Sequence, residues 1–205
     1  MSERCSFNFR APWRSPALGF GSIVGSLVLV FGCASGPGAA RGADPSQSDH
    51  ALASAELMRR ARAFAEASDY TRAEQYLNLA AANGRDPGEV TPLLIDVCVR
   101  DQRYRAALEY AEQRLRRHPR AYRLRYVEAS LLSALGDVAR AREELEKVLS
   151  ESPGYADAHF SLALLLRDEL GSYSEADRHF REYLRLAPGG AHAEEAGQSL
   201  LEVMP

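Results

Sequence analysis

The chain has 205 residues, of which 46% are hydrophobic and 26% are charged. This composition excludes a disordered polymer and a protein made mostly of membrane spans, and the length is that of one soluble domain. With 25 Lys and Arg against 28 Asp and Glu, the net charge is −3. That balance argues against a protein held on nucleic acid by a global positive field, so we expect no nucleic-acid partner.

The first 32 residues have the pattern of a signal peptide. Arg4, Arg10 and Arg14 make a positive start that only Glu3 opposes, and residues 17–32 then carry no charge. A membrane-spanning helix needs about 20 predominantly apolar residues, and this uncharged run is shorter and interrupted by glycines. We therefore predict an export signal at residues 1–32 rather than a permanent membrane anchor.

The end of this segment, V-F-G-C at residues 30–33, resembles the lipobox of bacterial lipoproteins, with Phe31 in place of the family's smaller residue. The resemblance implies that Cys33 is lipidated and becomes the new amino terminus. Several acyl chains, at about 0.8 kcal/mol per buried methylene, would hold the protein on a bilayer. Residues 33–49 would then be the lipidated cysteine and a flexible tether, since they are rich in Gly, Ser, Pro and Ala. The alternative is cleavage elsewhere, without lipid.

The rest of the chain repeats with a period of about 34 residues. Alanines recur at steps of 34, 34 and 35 residues, at Ala73, Ala107, Ala141 and Ala176. Small or aliphatic residues precede them at Ala61, Ile95, Ala129 and Ala163. Prolines have the same period at Pro119, Pro153 and Pro188. Because proline lacks an N–H, each of these prolines is predicted to end one helix before the next begins.

A 34-residue period with these residue types resembles the tetratricopeptide repeat. The third unit matches best, with Ala129 in its first helix, L-G-D at its turn and Ala141 in its second helix. The resemblance implies an all-α fold, a right-handed α-solenoid of four repeats with a C-terminal capping helix. The predicted repeat domain, residues 50–204, divides into repeats 54–87, 88–121, 122–155 and 156–190 and a capping helix at 191–204.

Local signals predict where individual helices begin. Asp49 would cap a first helix over about residues 50–67. Thr91 would cap a helix that begins at Pro92, because proline suits the first helical position. A tyrosine near three of the turns is expected to fill space between neighbouring units: Tyr70, Tyr104 and Tyr173.

The resemblance also implies a partner-binding surface. In tetratricopeptide-repeat proteins the first helix of each repeat lines a concave face that holds a peptide or a partner domain. The family's groove positions fall on Met58, Arg62, Asp96, Val99, Tyr126, Ser130, Phe160 and Leu164. We favour Tyr126 and Phe160 as anchors, because aromatic side chains dominate the binding energy of many interfaces. The alternative is that both pack between adjacent helices.

A dense positive segment spans residues 114–125. Its six arginines are Arg114, Arg116, Arg117, Arg120, Arg123 and Arg125. Guanidinium groups suit phosphates and carboxylates, so this segment is compatible with an anionic partner: lipid headgroups, an acidic protein segment or a polyanionic envelope polymer. The alternative is a solvated surface paired with Glu109, Glu112 and Glu128.

No motif indicates catalysis or a cofactor. The sequence contains no Gly-rich phosphate loop and no nucleophile elbow, so we expect a protein that is not an enzyme and holds no cofactor or metal. His159 and His179 are expected to approach each other in the fourth unit, but their spacing matches no metal motif. Cys98 lies in an apolar stretch and is expected to be a small buried side chain.

These patterns together predict a lipid-anchored adaptor that binds a protein or peptide partner, in pilus, secretion or envelope assembly. Ala34 rather than Asp after the cysteine favours the outer membrane, with the repeats facing the periplasm. Two alternatives remain: an exported scaffold or regulator without lipid, and an enzyme subunit. The sequence indicates no oligomeric state.

Overall fold

The computed structural model describes residues 45–200, with side chains from residue 53 onward. All regular structure in this part of the chain is helical. The helices are α1 (Pro45–Glu66), α2 (Tyr70–Ala82), α3 (Pro87–Arg100), α4 (Tyr104–Arg117), α5 (Tyr122–Ala134), α6 (Val138–Glu151), α7 (Ala156–Asp168), α8 (Tyr173–Leu186) and α9 (Ala193–Gln198). The predicted signal peptide and Cys33 lie outside the described residues, as do residues 201–204 of the predicted capping helix.

The helices pack in chain order. Each helix contacts the next, from α1 on α2 through to α8 on α9, and α5 also contacts α7. We call α1, α3, α5 and α7 the A helices, and α2, α4, α6 and α8 the B helices. Because each helix pair buries its apolar side on its neighbours, the arrangement is an α-solenoid. The predicted all-α solenoid is confirmed.

The periodic small residues lie where the helices approach most closely. On the B helices, Ala73, Ala107, Ala141 and Ala176 are at most 2% exposed. On the A helices, Ala61, Ile95, Ala129 and Ala163 are at most 1% exposed. A small side chain at a crossing point lets the two helix backbones approach and the surrounding side chains interdigitate. The residues that recur with the repeat period are therefore the residues at which neighbouring helices contact each other.

All four turns from an A helix to a B helix contain one residue with a positive φ. These residues are Ser68 (60°), Gln102 (59°), Gly136 (80°) and Gly171 (62°). Glycine adopts this left-handed conformation freely, whereas a side chain there costs about 1 kcal/mol. Gln102 thus has the backbone conformation that glycine has in the third and fourth units.

The start of α3 differs from the prediction. The helix begins at Pro87, where the Asp86 side chain accepts a hydrogen bond from the backbone N–H of Gly88 at 2.9 Å. Pro92 lies inside the helix. The prediction of a start at Pro92 capped by Thr91 is wrong, because Asp86 and Pro87 supply the same cap and first-turn proline earlier in the chain.

The helices at the two ends of the described region also differ in length from the predicted helices. Helix α1 begins at Pro45, so Asp49 lies within the helix instead of capping it. Its first five residues belong to the segment predicted as tether. Helix α9 covers only Ala193–Gln198. Here Ala196 is fully buried and Leu200 packs against the core, so this short helix covers the end of the solenoid.

A tyrosine begins three of the B helices, but only two of them pack as predicted. Tyr70 and Tyr104 are partly buried against the core, whereas Tyr173 is 59% exposed. The prediction that Tyr173 fills space between units is wrong, because its side chain extends into solvent.

The buried side chains form two clusters that meet at α3. One cluster joins α1, α2 and one side of α3, and includes Leu77 and Leu94. The other extends from Ile95 and Cys98 on α3 to Ala196 on α9. Helix α3 therefore connects the first repeat to the others through both of its apolar sides.

Candidate functional site

The eight predicted groove residues all lie on A helices, but they differ in exposure. Three belong to the interior, with Met58 3%, Ser130 5% and Phe160 4% exposed. The five that keep exposed surface are Arg62, Asp96, Val99, Tyr126 and Leu164. We call the surface formed by these five residues and their neighbours the A-helix face.

Phe160 is a core residue of the fourth repeat. Its ring stacks on that of His192 with 4.2 Å between centroids. It also meets the rings of Tyr183 at 5.2 Å and Phe180 at 5.9 Å. Such aromatic pairs each contribute about 0.5–1.5 kcal/mol beyond the burial of their area. The packing alternative is thus what the structure shows for Phe160, and we leave this residue out of the proposed binding surface.

Tyr126 is only partly buried and lies where α5 meets α7. Its hydroxyl lies 3.0 Å from Oγ of Ser161, and its ring meets that of Tyr155 edge-on at 5.1 Å. Tyr155 in turn meets Tyr122 edge-on at 5.6 Å. We call Tyr122, Tyr126 and Tyr155 the tyrosine cluster. Burial raises the pKa of both Tyr126 and Tyr155, so these hydroxyls stay neutral and able to donate a hydrogen bond.

Sequence reasoning found Tyr126 but missed the other two members of the tyrosine cluster. Tyr122 is the first residue of α5, and Tyr155 directly precedes α7. Both occupy the start of an A helix in successive repeats, which is the signal that could have identified them. The structure brings them together because successive A helices lie side by side.

In the first two repeats, the A-helix face carries charged side chains where the later repeats carry the tyrosine cluster. Asp96 pairs with Arg100 at 3.2 Å. Arg62 lines an open depression of about 370 Å³, which Glu66 and Arg85 also border. The A-helix face is therefore charged in its first half and aromatic in its second half.

The six arginines of residues 114–125 do not act as one group. Arg125 is internal: its side chain is 15% exposed and its Nη1 pairs with Glu144 at 2.7 Å. By contrast, Arg116, Arg117, Arg120 and Arg123 are exposed, and we call these four the arginine edge. Arg114, which is partly exposed, directs its guanidinium toward Gly88.

The arginine edge lacks the carboxylate partners that a solvated, ion-paired surface, the alternative to an anionic partner, would require. Among the described residues, no carboxylate lies within 4.0 Å of its guanidinium groups or that of Arg114. Glu112 instead pairs with Arg140 at 2.9 Å, and Glu128 lies 4.0 Å from the same guanidinium. The expectation that Glu109, Glu112 and Glu128 neutralise this surface is wrong, because α4 and α5 turn two of these carboxylates toward α6.

Glu128 is a buried carboxylate between α4 and α6. The residue is 7% exposed, and its closest cation is Arg140. Burial raises the pKa of Glu128 to about 7, and the neighbouring carboxylates of Glu144 and Glu112 act in the same direction. Its protonation therefore changes near neutral pH.

The predicted approach of His159 and His179 is confirmed, with 3.0 Å between their Nδ1 atoms. Nε2 of His159 donates to the carbonyl oxygen of Pro153 at 3.0 Å, so its Nδ1 is the acceptor for Nδ1–H of His179. Burial lowers the pKa of His179, and electrostatic repulsion between the two neighbouring imidazoles acts in the same direction. In the part of the chain with described side chains, no three His, Cys, Asp or Glu residues could hold a metal ion together.

A polar network that sequence reasoning missed joins the first two repeats. Glu74 on α2 accepts hydrogen bonds from the hydroxyl of Tyr110 at 2.8 Å and from Nη2 of Arg103 at 2.6 Å. Cys98 lies beside it and is fully buried, as predicted. Burial raises the pKa of the Cys98 thiol to about 11. No sequence signal marked Glu74, because its partners lie in the second repeat.

Between residues 45 and 200, none of the helices has the length and apolar character that crossing a bilayer requires.

The arrangement is similar to that of several solved structures. A tetratricopeptide repeat protein from Parabacteroides merdae ATCC 43184 has a TM-score of 0.63 and 22% identity, over 72% of this chain and 59% of that one. YrrB, described as a TPR protein with an unusual peptide-binding site, has a TM-score of 0.60 and 18% identity, over 72% and 76%. MamA from Desulfovibrio magneticus RS-1 has a TM-score of 0.58 and 17% identity, over 67% and 77%.

These likenesses show the fold, and this chain spans less than two thirds of the Parabacteroides protein. No curated protein sequence matches the chain. Stacked helix pairs with an accessible A-helix face define the class of α-solenoid scaffolds for protein–protein interaction. Residues 126–191 match the family model of the tetratricopeptide repeat. The described residues therefore have the fold of a tetratricopeptide-repeat protein.

Proposed function

We propose that this protein is a non-catalytic adaptor, lipid-anchored at Cys33, that binds a protein or peptide partner through the A-helix face. The observation that carries this proposal is the tyrosine cluster. Its three rings touch edge-on across α5 and α7 and keep exposed area. Rigid aromatic side chains with a polar tip are typical anchors of protein interfaces, since they bury a large area at small cost in conformational entropy.

The structure around the tyrosine cluster supports a preorganised surface. Ser161 orients the hydroxyl of Tyr126, and the backbone carbonyl of Tyr126 accepts a hydrogen bond from Ser130 at 2.9 Å. A surface that is already ordered loses less entropy when a partner binds. The description of YrrB as peptide-binding agrees with a peptide segment as the partner.

The proposed anchor fits the length of chain between Cys33 and the repeats. Helix α1 begins at Pro45, and an extended chain covers at most about 3.6 Å per residue. The intervening segment therefore reaches about 40 Å, enough to let the repeats face a partner near the membrane. We place the protein in the cell envelope, at the outer membrane and facing the periplasm, with a role in pilus, secretion or envelope assembly.

Cross-linking in cells tests partner binding. A partner that is captured by the wild-type chain should be lost from the Tyr126→Ala/Tyr155→Ala variant. The matched control is Tyr173→Ala, which removes an exposed tyrosine outside the A-helix face and should capture the partner normally. Equal recovery with all three chains would refute the A-helix face as the binding surface.

Mass spectrometry of the mature amino terminus tests the anchor separately. The proposal requires a diacylglyceryl cysteine at Cys33, and the Cys33→Ala variant should leave the membrane fraction. An unmodified amino terminus at another residue would favour the exported scaffold without lipid. Membrane fractionation unchanged by Cys33→Ala would refute the anchor.

A further inference from the structure

The arginine edge is a concentration of positive charge that the fold itself does not use. Most other described arginines, such as Arg85 and Arg140, pair with carboxylates. The four guanidinium groups of the edge have no such partner among the described residues, and they lie in succession at the junction of α4 and α5. Like charges close together in the chain repel one another, and no described carboxylate offsets this repulsion through an ion pair.

Favourable interaction with a helix dipole accounts for only two of the four arginines of the edge. Arg116 and Arg117 lie in the last turn of α4, where cations interact favourably with the helix dipole. Arg120 lies between the helices, and Arg123 lies in the first turn of α5, where a cation is disfavoured. A role in folding therefore does not account for Arg120 and Arg123.

The arginine edge is continuous with the tyrosine cluster. The guanidinium of Arg123 lies over the ring of Tyr122 at 5.9 Å. From Tyr122, ring contacts of 5.6 and 5.1 Å lead through Tyr155 to Tyr126. At about 3.3 Å per residue, an extended peptide covers the path from Arg123 to Tyr126 in about five residues. One short segment could therefore contact the arginine edge and the tyrosine cluster together.

We propose that the arginine edge binds an acidic segment of the partner, directly beside an apolar residue that contacts the tyrosine cluster. This inference rests on the proposed function, since it adds the charge of the partner to the same surface. Guanidinium groups bind carboxylates bidentately and stack on aromatic rings, and the edge offers both contacts. A flat bilayer would contact exposed arginines but not the partly buried rings of Tyr126 and Tyr155, so the continuity favours a protein segment.

Two synthetic peptides of twelve residues test this inference with the purified full-length chain. Both carry a central phenylalanine, flanked by glutamates in one and by glutamines in the other. The glutamate peptide should bind about tenfold more tightly than the glutamine peptide, because it adds several exposed ion pairs. Sodium chloride should reduce this preference through screening.

Charge-reversal variants locate the effect. Arg116→Glu/Arg120→Glu/Arg123→Glu should lose the preference for the glutamate peptide, because its edge now repels the glutamates. Arg105→Glu/Arg178→Glu/Arg185→Glu makes the same change in net charge at exposed positions on B helices away from the edge, and it should keep the preference for glutamate. Equal loss in both variants would reduce the effect to net charge and overturn the inference.

The remaining outcomes separate the two proposals. No measurable binding of the glutamate peptide, or equal affinity of the wild-type chain for both peptides, overturns the acidic segment. Vesicles of phosphatidylglycerol that bind the wild-type chain and lose the edge variant, without a peptide preference, would assign the edge to a membrane surface. A glutamate preference that survives Tyr126→Ala/Tyr155→Ala at undiminished affinity would support the edge and contradict the A-helix face.

Discussion

Glu128 makes the stability of this protein depend on pH in a way that one substitution can reveal. The residue is 7% exposed, and burial raises the pKa of its carboxyl group from 4.5 to about 7 in the folded chain. A difference of one unit between the folded and the unfolded pKa of a group changes the free energy of unfolding by about 1.4 kcal/mol. Because the folded pKa is raised, the protonated form is favoured by folding. The stability that the protonated Glu128 side chain contributes is complete below pH 4.5 and is lost as the pH rises through about 7.

The substitution Glu128→Gln keeps the shape of the side chain and removes its charge. Relative to wild type, we expect the free energy of unfolding to rise by about 3 kcal/mol at pH 8 and by about 1 kcal/mol at pH 5. The difference arises because wild-type Glu128 is ionised in both states at pH 8, but remains protonated in the folded chain at pH 5. Urea denaturation monitored by circular dichroism at the two pH values measures both quantities.

Glu143→Gln is the matched control, since Glu143 is exposed on α6 and the change in net charge is the same. It should change the free energy of unfolding by less than about 0.5 kcal/mol at either pH. A gain for Glu128→Gln that is equal at pH 5 and pH 8, or a loss at pH 8, would refute the reasoning. Either result would mean that the carboxylate is solvated or firmly paired with Arg140.

Packing and backbone geometry give three more predictions. Phe160→Ala should lower the free energy of unfolding by about 3–5 kcal/mol in urea denaturation, whereas Tyr173→Ala should change it by less than about 0.5 kcal/mol; similar losses would contradict the assignment of Phe160 to the core. Gln102→Gly should raise stability by up to about 1 kcal/mol and Gly136→Ala should lower it, because both positions have positive φ; opposite signs would show that the turn conformation differs. Iodoacetamide at pH 8 should label Cys98 only on unfolding, as measured by peptide mass spectrometry, and rapid labelling of the native chain would contradict its burial and raised pKa.

The repeat period could be found from sequence because the same contact recurs in every unit. A crossing of two helices needs a small residue at a fixed place, as at Ala107 and Ala141, and any register error would bury a polar side chain. The turns obey the same logic, since glycine at positions 136 and 171 marks a backbone conformation that Gln102 also adopts. Two helix starts were predicted wrongly: Asp86 and Pro87 begin α3 before Pro92, and α1 begins before Asp49.

The candidate site was harder to predict because the exposure of a side chain on an A helix depends on which later part of the chain packs over it. Tyr126 and Phe160 occupy equivalent places one repeat apart, and their residue types alone made both plausible anchors. In the structure, Phe160 is covered by His192 from the chain after α8, while Tyr126 meets Tyr155 and Ser161 and stays only partly buried. The residue pattern within one repeat does not show which neighbouring segment will cover a given side chain.

The sequence by itself determined the all-α repeat architecture, the helix contact positions and the density of positive charge at residues 114–125, because these depend on local spacing and residue type. The tertiary structure decided which of those charges are internal. Arg125 turns inward to Glu144, whereas the arginine edge remains without a carboxylate among the described residues. Pairing depends on which helices lie side by side, and that arrangement brings together residues from different repeats that the sequence keeps far apart.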